Sequence, residues 1–241
     1  MAGPALWFAV TIFLAGAPVY VGATREAVLE AAASAVMRIP AVHDVERNSA
    51  EIPIVVSGGA STPALARVLA DKWQSSISTS FIVSDERWST DPRLSNAHEL
   101  ASHLVGSAFS SVQILAPRMQ SDIESSALMW SRALAACSLP IVALLSMGDD
   151  GHVASLFADC RIDAVSTNVA ICRESPKPPP TRISLSAGYL RRIPERFVVA
   201  IGAGKRDTLL AIQSGHKRPV TEISPTRWFI DVAAAKGLHS N

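Results

Sequence analysis

The chain has 241 residues, 49% of them hydrophobic and 18% charged, with a formal net charge of +1. That length can bury a full core, as one large α/β domain or two small ones, and the balanced charge leaves no basic footprint for nucleic acid. Cys137, Cys160 and Cys172 are an odd count without metal-ligand spacing. The expectation is therefore reduced, buried thiols in a cytosolic setting, with no metal and no cofactor.

The first segment, residues 5–21, is almost free of charge and includes Trp7, Phe8, Ile12, Phe13 and Leu14. Its length suits a signal-type apolar region or a marginal membrane span. No Lys or Arg precedes it, the first basic residue being Arg25, and Pro4 and Pro18 bracket it. The expectation is a hydrophobic extension over 1–17 packed on a single domain over 18–241, or an incorrectly assigned start, in a cytoplasmic protein. Targeting or tethering through the extension is the alternative.

A short strand is predicted at 19–22, and Thr24 then caps a helix that turns Ala27, Val28, Ala31, Ala32 and Ala35 to one side. Residues 40–51 read as a loop. The β-branched run Ile52–Val56 reads as a strand buried on both faces. After the Ser57-Gly58-Gly59-Ala60-Ser61 turn, Thr62 as cap and Pro63 as first helical residue open a helix with Leu65, Val68, Leu69 and Trp73 on one face. Thr79–Val83 is the next strand, ending in the loop Ser84-Asp85-Glu86-Arg87-Trp88, and Ser95-Asn96 caps a helix to about Gly106. A strand at 112–115 precedes a helix over 122–137 with Ile123, Leu128, Trp130 and Leu134 toward the core. Further strands are predicted at 141–145, 169–172, 182–185, 196–200 and 228–230, with a helix over 205–213. This alternation predicts an α/β, Rossmann-like fold: a mainly parallel sheet flanked by helices on both faces.

The most informative stretch is Ser146-Met147-Gly148-Asp149-Asp150-Gly151-His152, where the strand over 141–145 stops at a small acidic turn. A histidine beside a carboxylate at the carboxyl end of a buried strand suits proton transfer near neutral pH, at the edge where open α/β sheets bind ligands. Asp-Gly is also a common turn dipeptide, and the histidine could be a surface residue.

Four other places could hold an anion. The Ser57-Gly58-Gly59 turn joins a strand to a helix amino terminus, where free N–H groups attract phosphate; it is equally a plain tight turn. Arg87 lies beyond a strand end and could fork a phosphate, or pair with its acidic neighbours. The stiff segment Ser175-Pro176-Lys177-Pro178-Pro179-Pro180-Thr181-Arg182 could present Lys177 or Arg182 to a site, or act as a spacer. Lys205 follows Gly202-Ala203-Gly204 and opens a helix, where the helix dipole disfavours a cation unless an anion is near. No GxSxG sequence marks a serine nucleophile.

Taken in order, these stretches resemble the 6-phosphogluconolactonase family over residues 18–236. They are Ser57-Gly58-Gly59 with Ser61-Thr62-Pro63, Asp85-Glu86-Arg87 with Ser95-Asn96, Gly148-Asp149-Asp150-Gly151-His152 with Ala154-Ser155-Leu156-Phe157, Ser175-Pro176-Lys177-Pro178-Pro179 with Arg182, and Gly204-Lys205. Ala60 stands as an extra residue in the family's glycine turn, Ser146 replaces a usual glycine, and Ala158-Asp159 replaces a usual Pro-Gly. The resemblance implies hydrolysis of 6-phosphoglucono-δ-lactone to 6-phosphogluconate, a step of the oxidative pentose phosphate pathway. His152 would be the general base, Asp150 its orienting partner, and Ser57, Gly58, Gly59, Arg87, Lys205 and Arg182 the holders of the substrate and its phosphate. The related glucosamine-6-phosphate deaminases share the Asp-Gly-His turn but follow it with an acidic residue that Val153-Ala154-Ser155-Leu156-Phe157 lacks. The alternatives are that isomerase/deaminase activity, or a non-catalytic sugar-phosphate-binding protein.

Overall fold

In a computed structural model of the chain, residues 12–43, 51–59, 61–73 and 78–240 are described. The expectations for residues 1–11, for 44–50 of the predicted loop and for the extra Ala60 lie outside them.

Phe13–Leu14 (β1) folds back through Ala15 and Gly16, both at positive φ, onto Ala17–Gly22 (β2). Leu14 is fully buried and its carbonyl accepts from the Trp228 indole at 3.0 Å, so the end of the apolar N-terminal stretch is woven into the sheet. Thr24 caps Arg25–Val36 (α1), its hydroxyl accepting from Ala27 N at 3.2 Å. Ile52–Val56 (β3) is buried throughout and leads to Thr62–Lys72 (α2). Ser61, not Thr62, takes the cap position, because the Thr62 hydroxyl turns back to donate to the Ser57 carbonyl at 2.7 Å.

Thr79–Val83 (β4), Asp85–Arg87 (β5), the Ser95-capped Asn96–Leu104 (α3), Gln113–Leu115 (β6) and Ile123–Ala136 (α4) follow. In α4 the buried positions include Ile123, Ala127, Trp130 and Leu134, while Leu128 is 42% exposed, against expectation. The buried set advances by four, three and four residues, and Leu128 stands about 100° further round the helix.

Val142–Ser146 (β7), Ile162–Ala164 (β8), Val169–Cys172 (β9), Arg182–Leu185 (β10) and Ala187–Arg192 (α5) lead to Glu195–Ala200 (β11). A single 3₁₀ turn, Ala203–Lys205, enters Arg206–Gln213 (α6), and Pro219–Glu222 (α7), Arg227–Asp231 (β12) and Val232–Ala235 (α8) close the order.

The large sheet has the order β1-β2-β12-β11-β7-β3-β4-β6, parallel at every pair except β1 with β2. From β3 the chain builds outward through β4 and β6. It then returns to β7 on the other flank of β3 and builds the opposite way through β11 and β12. The direction reverses between β3 and β7, and such a reversal opens a crevice at the carboxyl ends of the two strands.

A second sheet differs from expectation. Val169–Cys172 and Arg182–Leu185 do not join the parallel sheet, and Asp85–Arg87 is a strand rather than a loop. Together with β8 they form an antiparallel sheet of order β5-β10-β9-β8. Asp85 pairs with Ser184 and Arg87 with Arg182, so this sheet brings two stretches of distant sequence together.

The cysteines also depart from expectation. Cys160 and Cys172 form a disulfide with their Cα atoms 6.1 Å apart, and Cys137 is an exposed free thiol. The β8–β9 pairing sets Cys172 opposite Ile162, two residues after Cys160, which brings the sulfurs within bridging range. Among the described residues no helix is long and apolar enough to cross a membrane.

Candidate active site

The loops after β3 and β7 face one another across the reversal point and are tied together. Ser57 N donates to the Leu144 carbonyl at 3.1 Å, and the Ser57 hydroxyl accepts from Ser146 N at 2.8 Å. That hydroxyl also shares a hydrogen bond with Thr62 at 3.0 Å. Gly58 is pressed against Asn96, whose side chain would overlap any Cβ at that position, and Gly59 sits at a φ of +87°. The three predicted phosphate-turn residues are therefore fixed beside the β7 turn.

Beyond β7 the backbone closes on itself. Gly148 N donates to the His152 carbonyl at 2.8 Å, and Gly151 N to the Gly148 carbonyl at 3.0 Å. Gly151, at a φ of +86°, supplies the bend. Gly148 lies under the imidazole so closely that a side chain there would overlap the ring. This closure brings Asp150 Oδ1 to 2.5 Å from His152 Nδ1 and 3.2 Å from His152 N. An ionised carboxylate only accepts, so Nδ1 carries the proton and Nε2 presents its lone pair.

Electrostatics favour that state. Burial pushes the His152 pKa down, and the nearby Lys177 charge adds to this; the Asp150 hydrogen bond and charge and the Asp85 charge oppose it, and the net value lies below the usual 6.5. Burial pushes Asp150 up, but its side-chain and backbone hydrogen bonds to His152, with the charges of His152 and Lys177, together outweigh this, and its pKa is lowered. An ionised carboxylate beside a neutral imidazole is the protonation state a general base needs.

An aromatic ring packs on the imidazole as well. The Phe157 ring lies 4.2 Å from it between centroids, tilted by 31°, and the Arg182 guanidinium stands 5.5 Å from the Phe157 centroid. Ser155, between them in sequence, donates from its hydroxyl to Asp85 Oδ2 at 2.6 Å, and its N–H donates to the Ser184 hydroxyl at 3.2 Å. The segment after His152 is thereby bound to the second sheet.

The predicted cations divide. Lys205 is brought to the turn: its Nζ is 2.5 Å from Asp149 Oδ1, and the Thr208 hydroxyl donates to the Asp149 carbonyl. The anion that offsets the helix dipole at Lys205 is the carboxylate of Asp149. Arg87 reaches the other loop, donating through Nη1 to the Leu94 carbonyl at 3.1 Å and to Asn96 Oδ1, so it stands near Gly58. Arg182 is 5% exposed and is engaged with the proline segment, donating to the carbonyls of Lys177 at 3.0 Å and of Pro178 and Pro179 at 3.2 Å. The two acids before Arg87 are structural. Glu86 accepts from Arg87 N, Asn96 N, Ser95 Oγ and Ala97 N at 2.8–3.0 Å, and Asp85 accepts from two serine hydroxyls.

Phe157, Asp149 and Asn96 lie in the stretches that carry the resemblance but were assigned no role there. For Phe157 a further signal was an aromatic five residues beyond the histidine. Among the described residues no group of three or more His, Cys, Asp or Glu side chains is gathered for a metal ion.

The fold is one the chain shares with solved 6-phosphogluconolactonase structures. The family model described as glucosamine-6-phosphate isomerases/6-phosphogluconolactonase matches residues 23–232, and the chain belongs to that family. A 6-phosphogluconolactonase of Pseudomonas putida is 30% identical over 184 residues, covering 73% of this chain and 75% of the relative. One from Mycobacterium tuberculosis is 34% identical over 134 residues, 49% of this chain; that match spans about half the relative's length, 54%. Among solved structures, 6-phosphogluconolactonase from Trypanosoma cruzi superposes with a TM-score of 0.74 at 18% identity, covering 94% of this chain and 98% of that one. The Shewanella baltica enzyme gives 0.72 at 21% identity, covering 88% and 96%. At those identities the structures establish a shared fold.

Proposed function

We propose that the protein hydrolyses 6-phosphoglucono-δ-lactone to 6-phosphogluconate. The observation that carries this reading is the Asp150–His152 pair, with Oδ1 2.5 Å from Nδ1, in the turn at the carboxyl end of β7. Water attacks the lactone carbonyl carbon while His152 Nε2 takes its proton. Within the 148–152 turn the N–H groups of Gly148, Gly151 and His152 already donate inside the turn, so the oxyanion is stabilised by those of Asp149 and Asp150. The tetrahedral intermediate then expels the ring oxygen, which receives the proton back from His152. Asp150 holds the ring and stabilises its cationic form between the two steps.

Lys205 on one side and Arg87 with the Ser57-Gly58-Gly59 turn on the other hold the phosphate, and this remote grip orients the reacting carbon. The relatives' names, the family match and the shared fold support the reaction class.

The test follows loss of freshly generated 6-phosphogluconolactone, with spontaneous hydrolysis subtracted, in wild type, Arg87→Ala and Lys205→Ala. The expected result is catalysed hydrolysis, with each variant losing about 2–4 kcal/mol in kcat/KM, the scale for removing a partner of a charged group. Unphosphorylated glucono-δ-lactone loses little. Equal losses on both lactones would remove these cations from the phosphate site, and ammonia released from glucosamine 6-phosphate would overturn the lactonase assignment.

A further inference from the structure

Arg182 is a buried cation whose partners all belong to the rim of the site. Its guanidinium forks onto carbonyls of Lys177, Pro178 and Pro179 at 3.0–3.2 Å. The same group stands 5.5 Å from the centre of the Phe157 ring, and Phe157 in turn lies 4.2 Å from the imidazole of His152. Behind it, β10 is locked in register with β5 and β9, Arg182 lying opposite Arg87 and Cys172. The proline segment is closed by Ser175, whose hydroxyl donates to the Lys177 carbonyl at 2.9 Å and whose N–H donates to the Pro180 carbonyl at 2.8 Å.

From this geometry we infer that Arg182 is a positioning residue for the general base: it holds Phe157 against the imidazole and fixes the loop that carries Lys177 at the same rim. A planar guanidinium can stack on a ring and donate in its own plane at once, which an ammonium cannot do. His152 is thus clamped between Asp150 at Nδ1 and the Phe157 ring, with no bond to Nε2 among the described residues. The charged groups His152 senses are Asp150 on its own turn, Lys177 on the proline loop and Asp85 on β5. Loosening Arg182 acts on two of the influences that lower the imidazole pKa. It lets water reach the ring, and it releases Lys177. Both move the His152 pKa upward. Arg182 itself is held below the usual guanidinium value, first by burial and also by the Arg87 charge, against the opposing Asp85 charge. The kinetic part of the inference rests on the lactonase reading above.

The experiment compares wild type with Arg182→Lys, which keeps the charge and loses the fork, and with Phe157→Leu, which keeps an apolar cover and loses the ring. Two readouts are taken: kinetics on the phosphorylated lactone, and NMR titration of the His152 ring, which requires no turnover. For Arg182→Lys the expected result is a kcat loss of about tenfold to a hundredfold, the scale for a misplaced catalytic group, with KM within about twofold of wild type, as when an interaction made only in the transition state is lost. The acid limb and the ring titration both move to higher pH. Phe157→Leu gives the same signature, and it decides the matter should Arg182→Lys fail to fold. A raised KM with kcat and the His152 titration unchanged would make Arg182 a phosphate ligand and overturn the inference. If wild type shows no lactonase activity, the functional reading falls. The ring titration then decides the positioning role alone: an upward shift supports it, and an unmoved His152 overturns it.

Discussion

Two acidic stretches follow parallel strands in this chain, and they do opposite work. After β4, Asp85 and Glu86 are 4% and 8% exposed, and their oxygens are taken up by donors fixed in the fold. Glu86 alone receives four, three of them backbone N–H groups, two at the start of α3 and that of Arg87 in β5. After β7, Asp149 and Asp150 have side chains 69% and 46% exposed, and each meets a titratable partner, Lys205 and His152. The residue types are the same. What differs is the supply of donors, and it decides which carboxylates hold the chain together and which remain for chemistry. A carboxylate saturated by backbone donors cannot exchange partners during a reaction without leaving buried groups unpaired.

This contrast can be broken at three points. The largest effect belongs to His152→Ala, which removes the imidazole of the turn after β7; kcat falls by about 10²–10⁴, the range for general acid–base removal. Thermal melting remains near wild type, and near-normal turnover in the folded variant would take His152 out of the mechanism. Glu86→Gln reverses the pattern. It replaces an acceptor oxygen with a donor facing donors and costs about 1–3 kcal/mol of stability, read as a lower denaturant midpoint. The pH dependence of kcat/KM stays where it was. A shift of that profile would mean that Glu86 belongs to the site.

The smallest effect is one of position on the pH axis. The reactive form is the neutral imidazole, so activity is full above the His152 pKa and is lost as pH falls through it. That pKa is below 6.5, and Lys177 is one of the groups lowering it. Lys177→Met therefore moves the acid limb of kcat/KM to higher pH, toward the ordinary imidazole value. A limb that stays put, or moves down, would show that the Lys177 charge does not reach the ring.

The parallel sheet was legible because its strands are continuous apolar runs, as Ile52–Val56 is, and because runs buried on both faces leave few other readings. The Asp150-Gly151-His152 turn was legible because its partners are two residues apart. The antiparallel sheet was not. Asp85–Arg87 has three polar residues and no period, and becomes a strand only because Arg182–Leu185, about a hundred residues later, offers it an edge. The disulfide was hidden for a related reason: its distance is set by the β8–β9 register, and an odd count of cysteines carries no register. Leu128 was misread because a helix face is one phase narrower than a list of apolar residues suggests. Within the site, the Ser57 and Gly148 turns were found by local sequence, whereas Phe157 against His152 and Arg182 on the proline carbonyls are products of packing.

The space beneath the imidazole imposes a direction on change. Position 148 has no room for a side chain while the His152 ring is in place. A lineage can fill that position only after the ring has been lost or swung away. Once it is filled, a histidine restored at 152 cannot place its ring where it now lies against Asp150. Two substitutions must then be undone in the reverse order of their arrival, and the first reversal brings no benefit on its own. Gly148 and His152 are in that sense a single inherited character. Losing it takes one step, and regaining it takes two.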